Sequence, residues 1–580
     1  MRPLSSYRHS VLVLILMLIT LLGSLPGLSG LQVIDRDEAR YAQASVQMRD
    51  SGDYVNIRFH DRDRHKKPAG IYWLQTASLN LFSSPEKRDI WVHRLPSVLA
   101  GLLAVIGLYW AGLTIYGRKG AFIAALLLST SFLLIFESHI AKTDAALCAA
   151  SVWTLGALLK LRDPQYSAAH PQIGIILWVA LGCGVILKGP ILPAIALTTL
   201  ITLFVWERQH ETIRPSWRVF FSPLGLCCFG LLVLPWYIMI AKATDGAFLT
   251  TAVTSDLAPK LTGGQEKHGG LPGYYVLTIF VTFWPAALFL LSGFAYGFKA
   301  LKTTPKTDLK TDLKTDQHKP LVSDKARFLL AWIIPFWIIL ELTPTKLPHY
   351  ILPLFPAIAL LIAGAIMDMS AYKNYRKTRS IGALIFFIVS AVLAFVVAGG
   401  EALYGNDHIW VYVVAVVILL LALCTTVWVF QGHIKRGVTG MILTGLGLSI
   451  PTYAHVMPQL DRLRIAPKIA TTIEAHNLKL PRNGGALIRS PHFTEPSLIY
   501  YLGDNVLLGD KANDYDRYPA QSEHIWIIDE EKSESDALLT ALTNLATYNE
   551  KCLSSLGSVS GLNYSKGDDV DLQIYTIKDC

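Results

Sequence analysis

Charged residues are scarce in this chain. Only 16% of its 580 residues are Asp, Glu, Lys or Arg, and 52% are hydrophobic, whereas an average soluble domain is about one quarter charged. Apolar runs of about 17–23 residues recur along the sequence, and each is long enough to cross a hydrocarbon core of ~30 Å. The composition therefore excludes an ordinary soluble protein and predicts an all-α protein that crosses a membrane many times.

Cysteine motifs for metal binding or redox chemistry are also missing, because the seven Cys include no CxxC. Five of the Cys fall in apolar runs, where cysteine behaves as a small hydrophobic residue. Cys552 and Cys580 instead lie in the polar C-terminal segment. A disulfide between them requires that segment to lie outside the cytoplasm, and the sequence leaves their pairing open.

The net charge of +9 does not indicate a nucleic-acid partner. Lys and Arg cluster in short loops between the apolar runs, as at Arg118 with Lys119 and at Lys435 with Arg436. With the N-terminus in the cytoplasm, every second loop is basic, which is the positive-inside pattern. The partners predicted by this charge distribution are membrane lipids.

Hydropathy predicts about thirteen spans, with soft boundaries. The first could be a signal peptide, but its length and the lack of a clean cleavage site favour a retained helix. Because the count is odd, the C-terminus is expected on the periplasmic side. The spans cover residues 9–29, 94–115, 120–137, 144–160, 172–187, 189–206, 219–241, 274–297, 327–343, 350–368, 381–398, 408–430 and 437–455.

The pattern divides the chain into a membrane domain, 1–455, and a C-terminal domain, 456–580. The membrane domain carries a long first periplasmic loop, 30–93, and a low-complexity linker, KTDLKTDLKTD, within 303–319. In the C-terminal domain GALIRS, HIWIIDE and DLQIYTIKD are typical of strands, and SDALLTALTNLATY is typical of an amphipathic helix. A small α/β domain is expected there, without a nucleophile or metal motif.

Acidic residues mark two places on the periplasmic side. Asp37 and Glu38 follow the first span, at the start of a segment that suits an amphipathic interfacial helix. Asp144 starts the fourth span, and an ionisable residue at the mouth of a membrane helix is a functional candidate. The alternative for both sites is structural: an N-cap, or an acid that favours the helix dipole. The functional interpretation is a carboxylate that orients a substrate or takes a proton.

Cationic and aromatic residues lie on the same side of the membrane, at helix ends. Cations opposite a lipid phosphate, with a carboxylate near the acceptor, are what group transfer from a polyprenyl phosphate needs. The alternative for each residue is a solvated or snorkelling side chain. The candidates for substrate or lipid-phosphate binding are Glu38, Lys67, Lys188, His268, Lys346 and Tyr350.

Several motifs make the chain resemble the protein O-mannosyltransferase superfamily of GT-C membrane glycosyltransferases. The similarity is greatest to the bacterial branch that transfers 4-amino-4-deoxy-L-arabinose to lipid A, and it covers most of the first 370 residues. It rests on DEARYA at 37–42, SGDYV at 51–55, KPAGIYWL at 67–74, HRLPS at 93–97, AKTDAAL at 141–147, LKGP at 187–190, EKHGGLPGYY at 266–275 and KLPHYILPLFPAIALL at 346–361.

The resemblance implies a GT-C bundle of about thirteen helices and inverting transfer of a sugar from undecaprenyl phosphate to lipid A or another glycan. It implies that Asp37 is the principal catalytic carboxylate and Asp144 a second functional acid, both at the periplasmic face of a bacterial inner membrane. Lys67 and Tyr350 are implied to contact the lipid phosphate of the donor.

One departure concerns metal binding. Family members often have Glu-Lys-Pro-Pro where this chain has Lys66, Lys67, Pro68 and Ala69. The missing Glu removes a possible ligand, so a divalent cation stays an open question and no cofactor is required. Lys side chains can neutralise the leaving phosphate, and a phosphate acceptor is already an anionic nucleophile. A hydroxyl acceptor would instead need Asp37 as a general base.

Two competing hypotheses remain at the level of sequence. The first is transfer of another polyprenyl-linked sugar to lipopolysaccharide, a glycan or a protein, because no motif encodes the sugar. A different class is a transporter of lipid-linked sugars. Transporters often carry internal repeats and charges near the midplane, whereas this chain shows no clear repeat and places its ionisable residues at helix ends. This arrangement favours interfacial chemistry.

Overall fold

The structure is a computed structural model of the chain. It describes residues 8–84, 87–163, 172–208, 221–259, 269–302, 319–369, 375–509, 524–532, 534–548 and 550–579. His268, Cys580 and nearly all of the KTD linker lie outside these residues. Cys552 is disulfide-bonded; because Cys580 is outside the described part of the chain, the pairing of the two cysteines stays open, as it is at the level of sequence.

Helices dominate the first 451 residues. They are α1 His9–Ser24, α2 Asp37–Ser51, α3 Gly70–Phe82, α4 Ile90–Ser129, α5 Phe132–Ser138, α6 Asp144–Leu161, α7 Gln172–Lys188, α8 Ile191–Arg208, α9 Pro223–Ala243, α10 Ala247–Thr251, α11 Tyr274–Thr282, α12 Leu290–Lys302, α13 Lys319–Leu342, α14 Phe355–Asp368, α15 Arg376–Tyr404, α16 Ile409–Phe430 and α17 Ile434–Pro451. A short hairpin of β1 Arg58–Phe59 and β2 Arg62–Asp63 lies in the first loop, between α2 and α3.

Each of the thirteen expected spans coincides with a helix or with consecutive helical segments. Six helices in the described part of the chain are long and apolar enough to cross a membrane, and three shorter apolar helices accompany them. The second expected span and the first part of the third form one 40-residue helix, α4, which is interrupted at Gly117, and the third span continues into α5. Gly117 has φ +62°, a conformation that glycine adopts without steric cost. The chain is thus a multi-pass membrane protein, and the exact number of spans stays a prediction.

The C-terminal segment contains the expected sheet and helix. Its helices are α18 Ile465–Ala475, α19 Pro496–Leu502 and α20 Ser535–Tyr548, and its strands are β3 Leu487–Ser490, β4 Val506–Leu508, β5 His524–Asp529, β6 Lys551–Asn563 and β7 Asp568–Asp579. The strand order is β4-β3-β5-β7-β6. β3 pairs in parallel with β4 and β5, whereas β7 pairs antiparallel with β5 and β6. The three strands and the helix expected from sequence are confirmed.

Helix α2 is covered on more sides than an interfacial helix would be. Ala39, Ala42 and Ala44 are at most 1% exposed. Val33, Ala39 and Ala42 form an apolar cluster with Ile90 of α4 and Tyr500 of α19. The C-terminal segment therefore packs on the first loop and on the start of α4.

Candidate active site

A cavity of about 410 Å³ opens where the first loop, the turn before α6 and the segment before α14 meet. The tip of the β6–β7 hairpin closes one part of its wall through Ser565. The lining residues are Ile34, Asp35, Arg36, Asp37, Glu38, Arg40, Tyr41, Arg64, Lys66, Lys67, Phe136, Ile140, Lys142, Thr143, Asp144, Lys188, Thr345, Leu347, His349, Tyr350 and Ser565.

Asp37 is the first residue of α2 and is exposed to this cavity. The structure makes Arg36 the N-cap residue, without a side-chain capping bond, so the N-cap interpretation of Asp37 is wrong. The Asp37 carboxylate forms no hydrogen bond within the described part of the chain. Its position at a helix N-terminus still favours the negative charge.

Electrostatics keep Asp37 ionised. Burial raises the pKa of Asp37, but the positive charges of Lys142 and Arg64 outweigh this effect and hold the pKa below its ordinary value. Burial lowers the pKa of Lys142, but the negative charges of Glu137 and Asp144, together with that of Asp37, outweigh this effect and hold the pKa above its usual range. At neutral pH the pair is therefore a carboxylate and an ammonium group.

Glu38, the next residue, has a structural use. Its Oε1 accepts hydrogen bonds from Arg94 Nε (2.8 Å) and from the Ala141 amide (2.7 Å). Its Oε2 accepts from Arg94 Nη2 (2.8 Å) and from the Ile34 amide (2.8 Å). Arg94 and Glu38 are both fully buried. Although Glu38 borders the cavity, both of its oxygens are committed to protein donors, which favours a structural role over the predicted substrate contact.

Arg94 extends the same network to the end of α1. Its Nη1 donates to the carbonyl oxygens of Leu28 and Leu31, both at 3.0 Å, and its Nη2 donates to that of Gln32 at 2.8 Å. Arg94 comes from the HRLPS motif on α4. The Glu38–Arg94 pair therefore joins the first loop, α4 and the turn before α6 into one unit.

Asp144 is the first residue of α6, and Thr143 is the N-cap residue without a side-chain capping bond. The N-cap interpretation of Asp144 is therefore wrong as well. Its Oδ1 accepts a hydrogen bond from Lys188 Nζ at the end of α7. Its Oδ2 lies 3.9 Å from His349 Nε2. The Lys188 ammonium group in turn lies 5.4 Å from the ring centre of Tyr350, so Asp144 orients a cation–aromatic pair at the cavity wall.

Glu137, Asp144 and His349 have the donor types of a cation site, with ligand atoms within 4.8 Å of one another. Two ammonium groups already neutralise the carboxylates, because Lys142 Nζ lies 3.4 Å from Glu137 Oε1 and Lys188 pairs with Asp144. Charge is thus balanced by the chain's own residues. We derive no step through a metal ion, and the metal question stays open.

The candidate cations and the tyrosine separate into two groups. Lys67, Lys188 and Tyr350 line the cavity, as expected. Lys346 does not: it is 4% exposed, and its Nζ donates to the carbonyl oxygens of Leu340, Glu341 and Thr343 at 2.6–2.8 Å. It therefore caps the C-terminal end of α13 and does not belong to the predicted set that faces a substrate. His268 lies outside the described residues, so its role is untested.

Sequence reasoning missed several cationic residues of the site. Arg40 lies three residues after Asp37, a spacing that places both on one helix face, so this signal was available. Arg64 had no signal: its Nε donates to the Tyr72 hydroxyl at 3.0 Å, and its guanidinium lies 5.1 Å from the ring centre of Tyr41. Lys66 also lines the cavity.

The cavity carries an excess of positive charge. Seven of its lining residues are Arg or Lys and four are Asp or Glu. A concave site lined by several cations is suited to a phosphate. Asp37 is the carboxylate in this lining that is left without a protein hydrogen bond among the described residues. The arrangement is that of an anion-binding site with one available carboxylate.

Comparisons with known proteins show what the chain is similar to. The sequence profile of the dolichyl-phosphate-mannose-protein mannosyltransferase family matches residues 10–245. An undecaprenyl phosphate-α-4-amino-4-deoxy-L-arabinose arabinosyl transferase of Yersinia pestis is 26% identical over 401 residues, 65% of this chain and 65% of that protein. A protein of the same name from Aeromonas hydrophila is 24% identical over 393 residues, 66% of this chain and 65% of that protein. The matched region thus spans somewhat less than two thirds of these relatives.

Solved structures define the fold over nearly the whole chain. The crystal structure of ArnT from Cupriavidus metallidurans bound to undecaprenyl phosphate matches with a TM-score of 0.70 and 19% identity, and covers 97% of each chain. An oligosaccharyltransferase of Archaeoglobus fulgidus matches with a TM-score of 0.53 and 11% identity, over 97% of this chain and 74% of that chain.

The chain therefore has the GT-C fold of polytopic membrane glycosyltransferases. Its resemblance to the protein O-mannosyltransferase superfamily is confirmed, and the curated relatives that it resembles are named as aminoarabinose transferases.

Proposed function

We propose that the protein is an inverting glycosyltransferase that moves 4-amino-4-deoxy-L-arabinose from undecaprenyl phosphate to lipid A. The reaction takes place at the periplasmic face of the bacterial inner membrane. One observation carries the proposal: an ionised carboxylate, Asp37, faces a cavity whose lining contains seven Arg and Lys residues. The names of the relatives support the choice of sugar and acceptor.

The donor phosphate is assigned to the part of the cavity lined by Lys67, Lys188 and Tyr350. Lys67 and Lys188 supply positive charge, and Tyr350 supplies a hydroxyl that can donate a hydrogen bond. The phosphate gains negative charge as the sugar departs, so these groups bind the transition state more strongly than the ground state. Asp144 contributes indirectly, because it accepts the hydrogen bond that orients Lys188.

The bond changes require no external cofactor. The bond between the anomeric carbon of the sugar and the undecaprenyl phosphate oxygen breaks, and its electron pair stays on the phosphate. A phosphate oxygen of lipid A attacks the opposite face of the anomeric carbon and forms the new bond, which inverts the configuration. An anionic phosphate has no proton to lose, so Asp37 acts by stabilising the positive charge that develops on the sugar ring. With a hydroxyl acceptor, Asp37 would accept its proton.

A purified-component assay tests the proposal. The protein is incubated in detergent micelles with undecaprenyl phosphate-linked 4-amino-4-deoxy-L-arabinose and lipid A, and mass spectrometry follows lipid A. The expected result is lipid A that carries one added aminoarabinose, with release of undecaprenyl phosphate. Turnover of a different polyprenyl-linked sugar, but not of this donor, would refute the substrate and leave the class of enzyme standing.

A second arm separates transfer from transport. Proteoliposomes carry the labelled donor in one leaflet only, with no acceptor present. A transferase leaves the donor in place, whereas a transporter moves it to the other leaflet without breaking the sugar–phosphate bond. Transbilayer movement without any transfer in the first assay would overturn the proposal. A reporter fused after Cys580 tests the orientation and is expected to report a periplasmic location.

A further inference from the structure

The residue before Asp37 has an unusual backbone. Arg36 has φ +70° and ψ −86°, which is close to the values of the classic γ-turn, a rare and strained conformation. A non-glycine residue persists in such a state when the surrounding structure fixes it, and strain of this kind clusters at functional sites. Arg36 stands between Asp35 and Asp37. The backbone torsion angles of Arg36 therefore fix the position of the Asp37 Cα atom and the direction in which its side chain leaves the backbone.

The C-terminal domain holds Asp35, on one side of this turn. The Ser497 amide donates to Asp35 Oδ1 and the Ser497 hydroxyl donates to Asp35 Oδ2, both at 2.8 Å. The Asp35 amide donates to the Tyr564 hydroxyl at 2.6 Å. Ser497 lies at the start of α19 and Tyr564 follows β6. Asp35 is therefore held by two separate parts of the same domain.

The domain also holds the side chain of Arg36. Arg36 Nη2 donates to the Ser565 carbonyl oxygen at 2.9 Å, and Arg36 Nε lies 3.9 Å from Glu495 Oε2. Glu495 is 3% exposed and accepts a hydrogen bond from Asn563 Nδ2 at 3.1 Å. A buried acid that is itself hydrogen-bonded gives the Arg36 guanidinium a fixed partner.

Asp37 thus lies between two anchors of different origin. The Glu38–Arg94 pair fixes the chain after Asp37 to the membrane domain, and the contacts of Asp35 and Arg36 fix the chain before Asp37 to the C-terminal domain. Removal of the second anchor would let Arg36 relax to an ordinary conformation and would shift Asp37. A displacement of about 1 Å in a reacting group can lower a rate about 100-fold.

We infer that the C-terminal domain positions the catalytic carboxylate, with Ser497 and Asp35 as the positioning residues that hold the strained turn at Arg36. The inference rests on the proposed function, because it assigns Asp37 to the reaction. Ser497 does not line the cavity, so a change there acts on the reaction only through Asp35.

The test compares two variants of the C-terminal domain. Ser497→Ala removes the hydroxyl that donates to Asp35. Asp504→Ala is the matched control, since it removes another hydrogen bond between the domain and the first loop, Gln43 Nε2 to Asp504 Oδ1 at 2.6 Å, away from the turn. Transfer rate, binding of undecaprenyl phosphate, and hydrogen–deuterium exchange of the amides from 33 to 40 are measured for both variants in the full-length protein.

Ser497→Ala is expected to lower kcat about tenfold, to leave the Kd for undecaprenyl phosphate within about twofold and to accelerate exchange at 33–40. Asp504→Ala is expected to leave kcat and exchange at 33–40 at wild-type values. Asp35→Asn keeps an acceptor for the Ser497 amide and is expected to lose less activity than Asp35→Ala. If Ser497→Ala does not fold, Tyr564→Phe replaces it, because it removes the acceptor of the Asp35 amide.

Unchanged kcat in Ser497→Ala, or unchanged exchange at 33–40, would overturn the inference. Equal losses in Ser497→Ala and Asp504→Ala would also overturn it, because they would indicate a general effect of domain docking. The proposed function fails in a different way: the wild-type protein then neither transfers the sugar nor binds undecaprenyl phosphate, while the exchange measurement still reports whether the domain holds the turn.

Discussion

Asp37 and Glu38 are neighbours in sequence but differ in burial and in hydrogen bonding. Glu38 is fully buried and receives four hydrogen bonds, from Arg94, Ala141 and Ile34. Asp37 faces the cavity, and its pKa is lowered by surrounding cations that do not hydrogen-bond to it. The difference shows that a conspicuous acidic pair can divide its tasks, so that one carboxylate builds the site and the other is left available for a substrate.

The largest expected effect is a difference in the free energy of unfolding between substitutions at Glu38 and at Asp37. Glu38→Gln removes the charge that pairs with the buried Arg94 guanidinium, and breaking a buried ion pair costs about 3–5 kcal/mol. Asp37→Asn removes a charge that has no hydrogen-bonded partner and should change stability by less than about 1 kcal/mol. Thermal unfolding in detergent micelles measures both. Equal destabilisation by the two substitutions would contradict the division of tasks.

The second effect concerns Lys188, which joins Asp144 to the assigned phosphate site. Lys188→Ala should lower the transfer rate about 100-fold, because a preorganised cation near the leaving phosphate is lost and Asp144 loses its hydrogen-bond donor. Lys87→Ala is the matched control, since Lys87 is an exposed lysine outside the cavity. A loss in Lys188→Ala no greater than that in the control would remove Lys188 from the site.

The third effect distinguishes Lys67 from Lys346, two lysines to which the sequence assigns the same role. Lys67→Ala should weaken binding of undecaprenyl phosphate about tenfold, as expected for one lost charge-assisted contact. Lys346→Ala should leave that affinity within about twofold but lower stability by about 1–3 kcal/mol, because three carbonyl oxygens at the C-terminal end of α13, those of Leu340, Glu341 and Thr343, lose their donor. Calorimetry and thermal unfolding of both variants provide the check. The reverse pattern would show that Lys346 faces the ligand.

The smallest effect is a pH dependence at Asp35. Burial raises the pKa of Asp35 from 3.8 to about 6; hydrogen bonds from Ser497 oppose this rise and the charge of Glu495 adds to it. Because the folded-state pKa lies above the ordinary value, the stability contributed by the protonated form is complete below about pH 3.8 and is lost as pH rises through about 6.

Asp35→Asn cannot ionise, so this substitution should stabilise the protein by about 1–2 kcal/mol at pH 7.5 and by little at pH 4. Thermal unfolding at several pH values checks the trend, with Asp53→Asn as the control, because the Asp53 carboxylate is exposed and accepts hydrogen bonds within its own loop. If the stabilisation of the protein by Asp35→Asn did not change with pH, this result would contradict the raised pKa of Asp35. A carboxylate that costs stability at neutral pH is consistent with a positioning role, since functional sites often retain such costs.

Hydropathy and local patterning predicted much of the architecture. The positions of the membrane helices follow from apolar runs, and the helix Ser535–Tyr548 matches the amphipathic segment residue for residue. Both acidic sites were found because an ionisable residue at the end of an apolar run is conspicuous. The sequence could not tell which acid would be buried, because Arg94 lies 56 residues from Glu38 and the pairing depends on tertiary packing.

The contact of the C-terminal segment with the first loop could not be predicted from the sequence for the same reason. Ser497 and Asp35 are 462 residues apart, and no periodicity links a hydroxyl in the C-terminal segment to a carboxylate in the first loop. Lys346 illustrates a related limit. It stands beside the cavity residues Thr345 and Leu347, yet its side chain turns back onto the carbonyl groups at the end of α13, a choice that depends on the course of the chain from 340 to 346.

The catalytic role of Asp37 is tested most directly by measuring binding and turnover in Asp37→Asn, with Asp50→Asn as the control at the other end of the same helix. We expect Asp37→Asn to bind undecaprenyl phosphate with an affinity close to that of the wild type, and its rate of sugar transfer to lipid A to fall at least about 1000-fold. Asp50→Asn is expected to transfer at the wild-type rate. Full transfer activity in Asp37→Asn would contradict the assignment of Asp37 as the catalytic carboxylate.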